Sequence, residues 1–322
     1  MRVALVTGAL DQRTRGNHTT IHRWLENVTG VRCDAIDVDA TELDFVPDVV
    51  HGYHAKYGGV PGLRLARKIG CPLVVSIGGT DLFSFSDEVK EVLGAADAIT
   101  GAFPGFQSIV ENRLHRPVPY FVVPRAVPIP AAPPPRDAPQ DMLEVLLASA
   151  LSPVKEPLLA LSLATRLHEA GVKIRLRICG PELDKAHALK VRARAAPLEF
   201  ASIGEFKPED MAAAYERADV LWNTSVHEGG ANAILEAVAH GCAIFARNVT
   251  GNRELISERG APGTLFNPDD FASVHVFHEA LRRETGAERE RRIRLGWEWL
   301  KREHDPAKEA AALVDVWRSV AG

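Results

Sequence analysis

Short apolar runs of strand character alternate with helical stretches along almost the whole chain, and the rhythm breaks once. In the first half the strand-type runs are VALVTG, VRCDAIDV, VPDVVHGYH, PLVVSIGG, DAITGAF and PYFVVPR, with helical HTTIHRWLENV, VPGLRLARKIG and SDEVKEVLGAA between them. Residues 128–140, PIPAAPPPRDAPQ, then interrupt. Each proline lacks a backbone donor and fixes φ, so this segment supports neither a helix nor an inner strand. The alternation restarts with LEVLLASA and runs through EPLLALSLATRLHEAG, VKIRLRICG, DKAHALKVRARA, LEFASIG, PEDMAAAYERA, DVLWNTS and CAIFARN. Strands joined by helical crossovers pair in parallel, with helices covering both sheet faces. The pattern predicts two doubly wound, Rossmann-like α/β domains over 1–127 and 141–300, a linker at 128–140, and a C-terminal helix over 301–322. Residues 277–300 and 306–320 read as charged helices.

The 322-residue length suits two domains of this kind, and 46% hydrophobic with 25% charged residues are ordinary globular values. A net charge of −4 argues against a general nucleic-acid binder. Arg64, Arg67, Lys68, Arg113 and Arg116 are read as surface charge rather than as a membrane-binding helix. The opening MRVALVTGAL reads as a first buried strand rather than a secretory leader. Cys33, Cys71, Cys179 and Cys242 are widely spaced without a CxxC, the usage of free thiols in a reducing cytoplasm.

The chemistry concentrates in Asn223–Glu254, NTSVHEGGANAILEAVAHGCAIFARNVTGNRE. Glu228 and Glu236 stand eight residues apart around a small-residue loop that opens a helix. Gly229 and Gly230 permit close backbone approach, followed by Ala231 and Asn232. The helix start offers unpaired N–H groups and a positive dipole end, an anion site. Eight residues of helical rise span about 12 Å, which would let Glu228 hold sugar hydroxyls while Glu236 holds a ribose. Lys155, in SALSPVKEPLLAL, would add an ammonium beside the same diphosphate. Gly180 and Gly204 close two further strands, with the backbone of Phe206 placed to read a base edge. In the first half, TGALDQRTRGNHTTIHRW puts Arg13, Arg15, Gly16 and Asn17 in a loop leading to a helix start. There is no GKS/GKT and no GxGxxG after that strand. His51 and His54 end another strand, Asp81 follows Gly78–Gly79, and no metal-ligand spacing emerges among them.

These residues resemble the donor-binding segment of retaining glycosyltransferases of family 4, E-G-x5-L-E-A followed by a glycine, a strand and G-x2-E. Here that reads Glu228, Gly229, Leu235, Glu236, Ala237, Gly241, CAIFA, Gly251 and Glu254, with Ala243 where the family usually has proline. The resemblance extends over most of the chain, strongly from about 144 to 270. Within the family the chain looks closest to glycosyltransferase-1-domain-containing proteins and to selenosugar synthases, through Gly16–Asn17, Thr20, Arg23, Trp24, Gly79–Leu82 and Glu228–Asn232. The resemblance implies a GT-B fold, two Rossmann-like domains facing across a cleft, with the C-terminal helix returning to the N-terminal domain. It implies glycosyl transfer from a nucleotide sugar, most simply a UDP-sugar, to a small acceptor, with retention and with neither metal nor cofactor. Glu228 and Lys155 would be catalytic, and Gly229–Asn232, Glu236, Gly204 and Phe206 would bind donor. Arg13, Arg15, Gly16, Asn17, His54 and Asp81 would serve the phosphate or acceptor side. Two departures stand out. The family's R-L-x-P-x-K-G has Ala150 or Ser152 at the arginine here, leaving Arg247 or Arg253 to replace it. Its HGTD histidine is Gly78. A selenosugar or thiosugar synthase and a non-catalytic sugar-nucleotide-binding protein are the alternative readings.

Overall fold

The computed structural model describes all residues except 9, 11–15, 39–42, 137–140 and 205–209. The chain forms two compact units, Met1–Ala126 with His304–Gly322, and Val127–Glu303. The Pro-rich stretch expected as a linker lies against the second unit. Trp297 Nε1 donates to the Pro130 carbonyl at 2.8 Å, and the Arg136 guanidinium donates to the carbonyls of Tyr215, Glu216 and Ala218.

In unit 1 the strands are β1 (Arg2–Thr7), β2 (Arg32–Asp37), β3 (Val49–Tyr53), β4 (Leu73–Ser76), β5 (Ala98–Gly101) and β6 (Tyr120–Val122). All pair in parallel, in the order β2-β1-β3-β4-β5-β6. The inner strands β3, β4 and β5 are buried along their whole length, as helix-covered parallel strands must be, while edge strands β2 and β6 are half-buried or exposed. The crossovers are α1 (Gly16–Asn27), α2 (Val60–Ile69), α3 (Gly79–Phe83), α4 (Asp87–Ala95) and α5 (Gly105–Leu114). Ser86 caps α4 by accepting from Val89 N–H, and Gly70 closes α2 at φ 79°. A π-helical turn, Ala55–Gly59, follows β3 and is pressed against the sheet. A Cβ on Gly58 would lie 2.3 Å from the Val6 carbonyl oxygen, so only glycine fits there.

Unit 2 repeats the plan with β7 (Leu143–Ala148), β8 (Ile174–Cys179), β9 (Ala201–Gly204), β10 (Val220–Asn223), β11 (Ala243–Arg247) and β12 (Thr264–Phe266). Their order is β12-β11-β10-β7-β8-β9, again all parallel. The helices are α6 (Pro157–Glu169), α7 (Lys185–Ala195), α8 (Met211–Arg217), α9 (Asn232–Ala239), α10 (Thr250–Arg253), α11 (Phe271–Arg282) and α12 (Gly286–Glu303). The single helix expected over 277–300 is two helices. The chain leaves α11 after Arg282, and Glu288 accepts from the Thr285 N–H and hydroxyl to start α12.

The last helix, α13 (Pro306–Ala321), returns to unit 1 as expected, capped by Asp305. Its Glu309 takes two bonds from the Arg23 guanidinium on α1, at 2.6 and 2.9 Å, with both side chains buried. Leu313, Val314, Val316 and Trp317 join Ile21, Trp24 and Val49 in the unit 1 core.

Candidate functional site

In unit 2 the strand order reverses between β7 and β10. The chain steps from β7 outward to β8 and β9, then returns to the other side of β7. Ligands of open α/β sheets sit beyond the carboxyl ends of the strands at such a reversal. Two predicted residues meet there. Lys155 ends a short 3-10 turn after β7, and its Nζ donates to Glu228 Oε1 at 2.6 Å. Asn223, the last residue of β10, donates from Nδ2 to the same oxygen at 3.1 Å. Glu228 is 7% exposed and Lys155 31%. Burial pushes the Glu228 carboxyl upward. The Lys155 charge, with hydrogen bonds from Lys155, Ser225 and Asn223, outweighs it and holds the group below the usual glutamate value.

A polar frame locks this pair. Asn252 Nδ2 donates to Asn223 Oδ1 at 3.2 Å and to the Arg247 carbonyl at 2.9 Å. Thr224 Oγ1 donates to the carbonyls of Lys155 and Glu156, at 2.8 and 3.1 Å, tying the β7 turn to β10. Arg247, the last residue of β11, forms an ion pair with the Glu156 carboxylate and lies 3.5 Å from the Thr224 carbonyl. Gly251 abuts Glu228 so closely that a Cβ would meet the Glu228 carbonyl oxygen at 2.2 Å. Arg253, the other substitute weighed for the missing phosphate arginine, instead donates to Asn248 Oδ1.

After Glu228, Gly230 adopts φ 106° and Ala231, lacking a capping side chain, precedes α9. The helix therefore starts at Asn232, and the eight-residue helical ruler is corrected. Only Asn232–Glu236 is helical, a rise of about 6 Å, because the left-handed Gly230 turns the chain before the helix begins. Glu236 is half-buried and accepts from the Tyr215 hydroxyl at 2.6 Å. Gly204 ends edge strand β9, its carbonyl accepting from Gly180 N–H at 3.2 Å. Phe206, Arg13 and Arg15 lie outside the described residues.

Unit 1 reverses between β1 and β3. His54 follows β3 at φ 71°, ψ 117°, an uncommon backbone for a residue with a Cβ. Its Nδ1 lies 2.9 Å from Asp81 Oδ1. Asp81, 1% exposed, also accepts from the N–H groups of Gly78 (2.8 Å), Ala55 (3.0 Å) and Lys56 (3.4 Å). A Cβ on Gly78 would lie 3.6 Å from the His54 ring, so this imidazole borders the space beside Gly78. Gly16 and Asn17, expected in a loop, form the first turn of α1, where the Thr20 hydroxyl donates to the Gly16 carbonyl.

His51 separates from His54. Its Nδ1 accepts from Trp317 Nε1 at 3.0 Å and its Nε2 lies 2.8 Å from Ser76 Oγ, so it serves the core as a neutral ring. Arg23 and Trp24, which carry part of the selenosugar-synthase likeness, are likewise occupied in the unit 1 core. Among the described residues no three His, Cys, Asp or Glu side chains gather as a metal site, and no helix is long and apolar enough to cross a membrane. Asn223, Asn252 and Tyr215 escaped the sequence reading. Asn252 lies in the polar run RNVTGNRE, where nothing in the pattern marks one asparagine over its neighbours.

Residues 130–294 match the family model described as glycosyl transferases group 1. A segment of 131 residues, 40% of the chain, is 30% identical to glycosyltransferase 1 domain-containing protein 1 of Xenopus tropicalis. The match spans 38% of that relative's length. Among solved structures, Anabaena HepE in complex with UDP and glucose superposes with a TM-score of 0.76 over 99% of this chain and 100% of that one, at 13% identity. Sucrose-phosphate synthase of Thermosynechococcus elongatus does so with a TM-score of 0.80, over 99% and 98%, at 14% identity. At these identities the likeness is one of fold, the GT-B arrangement of two parallel-sheet units.

Proposed function

The chain belongs to the group 1 glycosyl transferases, and from that premise we propose that it moves a sugar from a UDP-sugar to a small acceptor, with retention at the anomeric carbon. The observation that carries the reading is the Lys155–Glu228 pair at the strand reversal of unit 2, beside the start of α9. A nucleotide sugar needs cations and amides for its diphosphate and a fixed carboxylate for its hydroxyls, and these elements supply both. HepE, solved in complex with UDP and with UDP-glucose, supports uracil as the base.

In this reading Lys155 and the first amides of α9 stabilise the charge that builds on the departing diphosphate. Glu228 is held ionised by Lys155 and Asn223 and accepts from the sugar hydroxyls. Glu236, one turn into α9, takes the ribose hydroxyls. Gly229–Asn232 let the backbone approach the diphosphate, and Gly204 with Phe206 adjoins the base. The acceptor is positioned in unit 1 by His54 and Asp81 at that sheet's reversal, with Gly16 and Asn17 at the start of α1, and the acceptor or phosphate role of Arg13 and Arg15 rests on the sequence alone. The nucleophile attacks from the leaving-group face, and the departing diphosphate takes its proton. This chemistry uses no metal and no cofactor, so turnover should persist in EDTA. Retention and family 4 membership rest on the likeness of Glu228–Glu254 to that family's donor segment.

The test is UDP release from a panel of UDP-sugars, with and without small acceptors, and NMR of the product's anomeric proton. An α-linked donor should give an α-linked product. Silence with UDP-sugars alongside turnover of another nucleotide's sugars would move the base. Silence across all of them would remove the enzyme.

A further inference from the structure

We infer that Arg247 is the second cation of the donor's diphosphate site and that Glu156 masks it, an internal anion which the ligand displaces. The inference rests on the donor reading above and adds to it a residue and a gate.

Lys155 follows β7 and Arg247 ends β11, yet they flank one turn. Lys155 and Glu156 are adjacent, Thr224 Oγ1 holds both their carbonyls, and Arg247 reaches that turn from the end of β11. Each cation carries its own carboxylate: Glu228 on Lys155, Glu156 on Arg247. The two carboxylates differ in how they are held. Glu228 is 7% exposed, bonded also by Asn223, with its backbone pinned by Gly251. Glu156 is 38% exposed, the more open partner of its pair, since Arg247 is 23% exposed. One carboxylate is built in and the other is free to swing.

Glu156 also sits where an acid gains little locally. Its backbone is left-handed, φ 45° and ψ 53°, a conformation that glycine adopts freely and a residue with a Cβ adopts at a cost. It is the N-cap of α6 but accepts no capping hydrogen bond with its side chain. The carboxylate is turned to Arg247 instead. A planar guanidinium pairs bidentately with phosphate as readily as with carboxylate, so a diphosphate can take the place that Glu156 holds. The four side chains sum to zero charge in the resting cluster. Release of Glu156 converts that neutral site into a cationic one when the anion arrives.

Isothermal titration with UDP, inorganic diphosphate and uridine tests this on Glu156→Gly, Glu156→Gln, Arg247→Gln and the Glu156→Gln/Arg247→Gln double variant. Both Glu156 variants should bind UDP and diphosphate about tenfold more tightly, and Arg247→Gln about tenfold more weakly, with uridine unmoved. The double variant should lose the gain from Glu156→Gln, because that gain acts through Arg247. Glu156→Gln preserves the side-chain shape, so it reads the charge even where Glu156→Gly alters the turn. A UDP affinity within twofold of wild type for both Glu156 variants, or for Arg247→Gln, overturns the inference while the donor reading stands. Equal loss of uridine and UDP binding in Arg247→Gln assigns the residue to the turn's structure and also overturns it. A wild-type chain that binds neither UDP nor diphosphate removes the donor reading, and the gate with it.

Discussion

Units 1 and 2 are the same kind of object, a parallel sheet whose strand order reverses next to its first strand, and they place different chemistry at the reversal. Unit 2 puts two cationic side chains there, Lys155 and Arg247, each matched by a carboxylate. Unit 1 puts an imidazole there, His54, with Asp81 largely committed to backbone N–H groups. Topology thus decides where a ligand can bind, and the residues at the strand ends decide which part of a reaction each place can serve. Cations suit a diphosphate. A ring held by a buried carboxylate suits the positioning of a neutral hydroxyl.

The comparison can be broken in graded ways. The largest effect should come from Glu309→Ala, because it leaves the Arg23 guanidinium buried without its partner. A loss of about 3–5 kcal/mol is expected by urea denaturation, and a loss below about 1 kcal/mol would show that α13 does not depend on this pair. Next, Lys155→Ala should lower turnover of a UDP-sugar by about a hundredfold or more and weaken UDP binding with it. His54→Asn should lower turnover by about tenfold and leave UDP affinity where it was. A His54→Asn variant whose UDP affinity falls as far as that of Lys155→Ala would erase the division of labour between the units.

One further effect is shared by the two units. Each unit buries one neutral histidine that accepts from a tryptophan: His51 from Trp317, and His278 from Trp222 at 2.9 Å. Burial pulls His51 down to about 3 and His278 to about 4, from 6.5. An unfolded chain takes up these protons near pH 6.5 and the folded chain does not, so the stability they contribute is full above pH 6.5 and is lost as pH falls toward those values. Stability followed from pH 7 to pH 5 should fall with a slope that steepens below pH 6.5 toward about 1.4 kcal/mol per pH unit for each histidine. A slope unchanged in His51→Gln would remove that residue from the account.

Much of this was legible in the residues alone. The strand–helix rhythm carries both sheets, and E-G-G-A-N before a helix former carries the Glu228 loop. What escaped has physical causes. Strand β12 is three residues, TLF, between Gly263 and Asn267, too short for any period to register. The break between α11 and α12 lies in a charged run, RRETGAERE, where sequence periodicity does not reveal the bond from Thr285 to Glu288. The start of α9 depends on a left-handed Gly230, so only the last part of the run between the two glutamates is helical. The Lys155–Glu228 and Glu156–Arg247 pairs join residues 73 and 91 positions apart. Only the sheet order brings those strand ends side by side, and no local pattern records it.

The central claim is that the donor binds at the reversal of unit 2. Amide hydrogen exchange read by mass spectrometry, with and without saturating UDP, tests it directly. The account predicts slowed exchange in peptides covering the turn after β7 at Lys155–Glu156, the Glu228–Glu236 loop and helix start, and Arg247–Gly251 at the end of β11. Slowing confined to the peptide of His54 and Asp81 in unit 1, with those three segments unchanged, would contradict it.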